Sequence, residues 1–107
     1  MSGKISSVRL LDAVLVTGAG ASRAPWYKDR TFQASGSTSA GVGAAAVKIQ
    51  VSNDNVNWIL IGTISLTLGV AVTTDGFASD AAWRYVRANV DSISGTDASV
   101  TVWMGAR

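Results

Sequence analysis

Hydrophobic and polar residues alternate along much of this chain with a period of two, the signature of strands that bury one face and wet the other. Val47, Ile49 and Val51 alternate with Lys48, Gln50 and Ser52, and further on Ile64, Leu66 and Leu68 alternate with Thr63, Ser65 and Thr67. Between them lies Ser52-Asn53-Asp54-Asn55-Val56-Asn57. Its short oxygen-bearing side chains bond to nearby backbone and tolerate left-handed conformations, so this stretch predicts a chain reversal. The pattern therefore reads as a hairpin of strands over 44–52 and 58–68.

The same counting predicts further strands. Residues 8–17 place Leu11, Ala13 and Leu15 on one face, with Leu10, Val14 and Val16 partly filling the other. Residues 31–35 turn Phe32 and Ala34 inward, and 70–74, 83–90 and 98–104 complete the set. Gly and small polar residues mark the connections at 18–29, 36–43, 74–77 and 91–97. Seven to eight short strands with negligible helix predict an all-β fold, an antiparallel β-sandwich or jelly roll. At 107 residues the chain suits a single sandwich domain, 1–107, with 1–7 and 18–29 as candidate flexible arm and loop.

Composition supports this and narrows the chemistry. The chain is 48% hydrophobic and 15% charged, too apolar for a disordered arm, and its lack of Glu removes a strong helix former. With no cysteine and no histidine there are no disulfides, no thiolate metal sites and no Ser-His-Asp or Cys-His nucleophilic machinery. Its carboxylates are seven Asp, most in turn-like contexts, and the chain is too short to build the wide cleft of a paired-carboxylate glycosidase. The expectation is a protein that is not an enzyme and takes no cofactor or metal. The acidic and amide groups at 53–57 offer one carboxylate, Asp54, where a calcium loop uses several.

The net charge of +2 comes from scattered Lys and Arg. Arg23, Lys28 and Arg30 around Pro25 are the nearest approach to a cluster and read as a solvated loop, so no nucleic-acid partner is expected. The start of the chain lacks the pattern of a secretion signal, and the apolar runs are too short to span a membrane, so no membrane partner is expected either.

The candidate functional residues are aromatic. In 83–90, Val86, Ala88 and Val90 form the apolar face, which sends Tyr85 and Arg87 outward; in 99–104, Val100, Val102 and Met104 face inward and Trp103 outward. If the two strands are antiparallel neighbours, Tyr85, Arg87 and Trp103 share one outer face with the composition of an interface hot spot. Trp26 and Tyr27, in the 18–29 loop, are further interface candidates, whereas Trp58 and Trp83 are expected to be buried.

Two phrases carry a resemblance. Residues 51–58, Val-Ser-Asn-Asp-Asn-Val-Asn-Trp, together with Trp83-Arg84-Tyr85-Val86-Arg87-Ala88, resemble the SND-x-x-NW and RY-[VI]-R pattern of discoidin-like jelly rolls. A similar pattern recurs in small virion proteins of tailed bacteriophages. The resemblance covers about half of the chain, 47–104, and is structural in character. For a short, cysteine-free, Ala/Ser/Thr/Gly-rich chain it implies a capsid decoration (cement) protein. Such a protein is made in the bacterial host cytoplasm and resides on the capsid surface of the virion. The implied partners are the major capsid protein and copies of itself, as a homo-oligomer. The alternative is a carbohydrate-binding or host-recognition module in which Trp26, Tyr27 or Trp103 stacks on a sugar.

Overall fold

The computed structural model describes residues 6–24, 29–79 and 83–106. Pro25, Trp26, Tyr27, Lys28 and the first five residues lie outside the described residues. Among the described residues eight strands follow one another: β1 (Ser6–Val14), β2 (Gly18–Ala19), β3 (Arg30–Ser37), β4 (Ala40–Ser52), β5 (Ile59–Leu68), β6 (Thr73–Ser79), β7 (Tyr85–Thr96) and β8 (Ser99–Ala106). They form two four-stranded sheets with orders β1-β8-β3-β6 and β2-β7-β4-β5, and every pairing is antiparallel. This is the strand order of a jelly roll, in which the chain crosses between sheets at most connections.

The alternation read from sequence generates the layer between the sheets. One sheet contributes Phe32, Ala34, Val100, Val102 and Met104; the other contributes Val47, Ile49, Val51, Ile64, Leu66, Leu68, Val86, Ala88 and Val90. All are buried in a single cluster, which Phe77 and Trp83 join as half-buried flanks. Phe77 lies 5.2 Å from Phe32, and a side chain at Gly62 would run into the Phe77 ring, so glycine there lets the edge of one sheet close on the other.

Several boundaries differ from expectation. The first strand ends at Val14, and Leu15 and Val16 are 61% and 68% exposed instead of filling a second face. Both Leu10 and Leu11 are buried because β1 shifts register against β8 twice, and Ala13 sits in the left-handed region (φ 48°), with its N–H donating to Thr101 Oγ1. Inside the predicted 18–29 loop, Gly18 and Ala19 pair with Val90 and Asn89, and Arg23 forms a bridge with Val86. The Gly-rich 36–43 stretch is mostly strand, reversing only at Thr38 and Ser39. The predicted strand at 70–74 and turn at 74–77 exchange roles. The segment before Thr73 is the connection, and Asp75-Gly76 lies within β6, where Gly76 pairs with Gln33 and its close approach to the Phe32 carbonyl excludes a side chain. Residues 91–96, read as a connection, extend β7.

Arg30 departs from expectation as well. It points inward from the first position of β3, is 3% exposed, and donates from Nη2 to the Trp83 carbonyl at 2.6 Å, so it does not belong to a solvated basic loop. Burial pulls its guanidinium below the ordinary arginine value.

Phe32 fills the middle of the layer, so Phe32→Ala is expected to cost about 3–5 kcal/mol of stability by leaving a cavity beside Phe77. Urea denaturation followed by tryptophan fluorescence measures this, and a cost under about 1 kcal/mol would show that the layer can collapse around the gap.

Candidate functional site

Among the described residues, the two outer surfaces of the sandwich carry three arginine–aromatic pairs. On the β2-β7-β4-β5 sheet, Arg87 stands opposite Gln50, and its Nε donates to Gln50 Oε1 at 2.8 Å. The same guanidinium lies 4.2 Å from the centre of the Trp58 ring. Tyr85, on the same outward side of β7, has the Arg84 guanidinium 5.2 Å from its ring centre. Farther along this face Lys48 pairs with Asp91 at 3.3 Å; the two side chains are 36% and 51% exposed, so the pair contributes little to stability.

On the opposite sheet, Trp103 stands between Arg9 of β1 and Gln33 of β3, its direct cross-strand neighbours. Arg9 stacks 4.4 Å from the ring centre and is held by Asp12 at 3.1 Å. The adjacent row consists of Ser7, Gly105 and Thr31. A large ring beside such small residues leaves a shallow depression of about 500 Å³ lined by Ser7, Thr31, Gln33, Trp103 and Gly105.

Tyr85 and Arg87 therefore share a face, but Trp103 is on the other side of the molecule. A single patch would require consecutive strands to be sheet neighbours. Instead β7 and β8 belong to different sheets. Their apolar faces point toward each other across the interior, so their outward residues point apart. Trp26 and Tyr27 lie outside the described residues.

Trp58, expected inside, is instead half-buried beneath Arg87. Counting back by twos from Ile64 would turn Trp58 inward. Between Gly62, which pairs with Ile49, and Leu60, which pairs with Gln50, Ile61 is an extra residue. That bulge reverses the phase and sends Leu60 and Trp58 to the outside. Trp83 is half-buried against the core. Arg9, Gln33 and Gln50 complete the aromatic pairs and could not be assigned before strand register was known.

The 52–57 hinge is closed upon itself. Ser52 Oγ donates to Asp54 Oδ1 at 2.7 Å and accepts from the N–H groups of Asp54 and Asn55. Asp54 Oδ1 accepts from the N–H groups of Val56 and Asn57 at 2.9 and 2.8 Å, and Oδ2 accepts from the Asn57 side-chain amide at 2.8 Å. Asn55 adopts the left-handed conformation (φ 61°). The Asn57 N–H first, then the Ser52 hydroxyl, the Val56 N–H and the Asn57 amide, hold the Asp54 carboxyl well below the usual carboxylate range. Every oxygen of that carboxylate is committed to the turn, and Asn53 Oδ1 accepts from the Arg84 N–H at 3.2 Å, tying the hinge to the entry of β7. Among the described residues no group of three acidic side chains is placed to hold a metal ion.

No family model and no curated protein matches the sequence. Among solved structures, the chain is similar in fold to the SPBc2 prophage-derived protein YomS, with a TM-score of 0.74 at 17% identity over 96% of this chain and 92% of that one. At that identity the likeness speaks for the fold alone, and it extends over nearly the whole of both chains.

The depressed Asp54 carboxyl makes a signed prediction. Its hydrogen bonds stabilise the fold above the unfolded carboxylate pKa of about 4 and are lost as pH falls toward the lower folded value. Asp54→Ala is expected to melt below wild type at pH 7, with the gap in Tm closing as pH drops below about 4. A gap that stays constant from pH 7 to pH 2 would show that the charged carboxylate contributes nothing.

Proposed function

We propose that this chain is a structural protein of a tailed-bacteriophage particle, of the capsid decoration (cement) type, binding the outer capsid surface in many copies and stabilising the shell. The observation that carries this reading is the whole-length fold likeness to a prophage-derived protein, from which the phage setting is carried over to this chain. The placement of the aromatic residues favours assembly within that setting. Trp58, Tyr85 and Trp103 lie on or beside flat strand faces, each with an arginine against its ring, and such prearranged aromatic–guanidinium pairs lose little side-chain freedom on docking. The proposed partners are the major capsid protein and further copies of the chain, in an adhesive and not a catalytic role, on particles assembled in the host cytoplasm.

A second reading has one observation in its favour. The depression beside Trp103 sets an indole next to the Gln33 amide and the Ser7 and Thr31 hydroxyls, groups that can stack on and hydrogen-bond to a sugar ring. Arg9 already stacks on that indole, which leaves less of it for a sugar. Assembly is therefore preferred.

Purified protein is expected to add to capsids lacking it and to raise the temperature at which they release DNA. Trp103→Ala is expected to weaken that addition at least tenfold while costing only about 1 kcal/mol of domain stability, because the ring gives up one exposed cation–π contact. Protein that ignores capsids and is instead retained on a glycan column through Trp103 would favour the sugar reading.

A further inference from the structure

The four sheet edges are not equivalent. Edge strands present unpaired N–H and C=O groups that invite another strand, and proteins guard them with shortness, bulges or charge. β1 shifts register twice and carries the Arg9–Asp12 pair. β2 has two residues. β6 carries Asp75, whose carboxylate accepts from the Gly76 N–H at 2.8 Å. β5 has none of these over Gly62–Leu68, where it pairs regularly with β4 on one side and, among the described residues, with no strand on the other. The whole of β5, Ile-Leu-Ile-Gly-Thr-Ile-Ser-Leu-Thr-Leu, contains no charge and no proline.

We infer that β5 is the seat of a two-fold contact in which the β5 strands of two copies of this chain pair antiparallel, joining their β2-β7-β4-β5 sheets into one eight-stranded sheet. The strand is self-complementary. Centring the two-fold on Ser65 sets Ser65 against its own copy and Thr63 against Thr67 on the outer face, an uncharged ladder of hydroxyl pairs. On the inner side Ile64, Leu66 and Leu68 already face the core of each copy and would continue it across the join.

The ends of the strand supply the argument for a second copy over any other extended peptide. Ile59 and Leu60, at one end of β5, are 50% and 49% exposed, and Val70 and Val72, just beyond the other end, are 67% and 69% exposed. These positions stand at nearly equal distances from Ser65, five or six residues before it and five or seven after. Antiparallel pairing about Ser65 would therefore set the Ile59–Leu60 end of each β5 toward the connection that carries Val70 and Val72 in the other copy, at both ends of the join. Four of the eight exposed large apolar side chains among the described residues, Ile59, Leu60, Val70 and Val72, thus flank the proposed join. Strand pairing supplies direction and register, and these flanks add apolar area toward the roughly 1,200 Å² that stable contacts bury. The inference takes its second copy from the assembly reading above but places the contact on an edge, away from the aromatic faces.

Sedimentation and oxidative cross-linking test it. Wild-type protein is expected to form a dimer, and Ser65→Lys, which sets two ammonium groups against each other at the two-fold, is expected to raise its dissociation constant at least tenfold while leaving the melting temperature of the isolated chain within a few degrees. Because the chain has no cysteine, Ser65→Cys introduces a single thiol per copy. Residues directly opposite in antiparallel strands lie about 4.5–5.5 Å apart at Cα, within disulfide range. Oxidation is expected to give a covalent dimer in buffer and none in urea. A wild-type monomer at millimolar concentration, an association unchanged by Ser65→Lys, or a Ser65→Cys variant that oxidation leaves uncross-linked would each overturn the β5 contact. The assembly reading is judged separately by adding wild-type and Ser65→Lys protein to undecorated capsids. Capsids that take up neither protein count against that reading, whereas an oligomer that survives Ser65→Lys counts only against the β5 contact.

Discussion

The molecule depends on one apolar layer, the sheet of side chains from Phe32, Val102 and Met104 on one side and Val47, Ile49 and Val86 on the other. With no disulfide available, burial of this layer is what offsets the conformational entropy of ordering the chain. Strand pairing alone would not suffice, since an isolated sheet is only marginally stable in water without something to cover its apolar face. The requirement that both apolar faces turn inward also decides what is presented outside: each outward residue belongs to one of two surfaces that look in opposite directions.

That constraint gives the surfaces their character. The interior takes nearly all of the aliphatic alternation, and the faces are left with Thr, Ser, Gln, small residues and a few rings. Arginine lies against three of the rings, so the apolar area of each is partly covered and its position fixed. A ring so held offers a firm but modest contact. In the proposed role on a shell, such contacts repeated over many copies would add to a strong attachment, since each further contact would be made within an already tethered assembly.

The strand interiors were legible in the sequence because period-two alternation is the direct record of one-sided burial. Phe32 and Ala34, Val86 to Val90 and the hairpin about Asp54 were all readable in this way. Phase errors arose where an extra residue enters a strand. The bulge at Ile61 moved Trp58 from the expected interior to the surface, and the register shifts in β1 turned the neighbours Leu10 and Leu11 both inward. Turn chemistry misled at Asp75-Gly76, where the glycine answers to close packing against the backbone of Phe32 rather than to a reversal. Sheet membership was the larger loss. Nothing local distinguishes a strand that returns beside its predecessor from one that crosses to the other sheet, so the separation of Trp103 from Tyr85 and Arg87 could be seen only in three dimensions.

The strand order also governs the time course of folding. In the β1-β8-β3-β6 sheet no two strands that are consecutive in the chain lie side by side, and in the other sheet only β4 and β5 do. Every other ladder closes a long loop before it gains a contact, which slows folding into the range of milliseconds to seconds typical of all-β topologies. The hairpin held by Ser52 and Asp54 is thus the one piece that can form early from local sequence. On a ribosome β1 emerges before the other seven strands yet waits for β8, the strand it pairs with, so its apolar face stays uncovered until the last strand of the sandwich has been made.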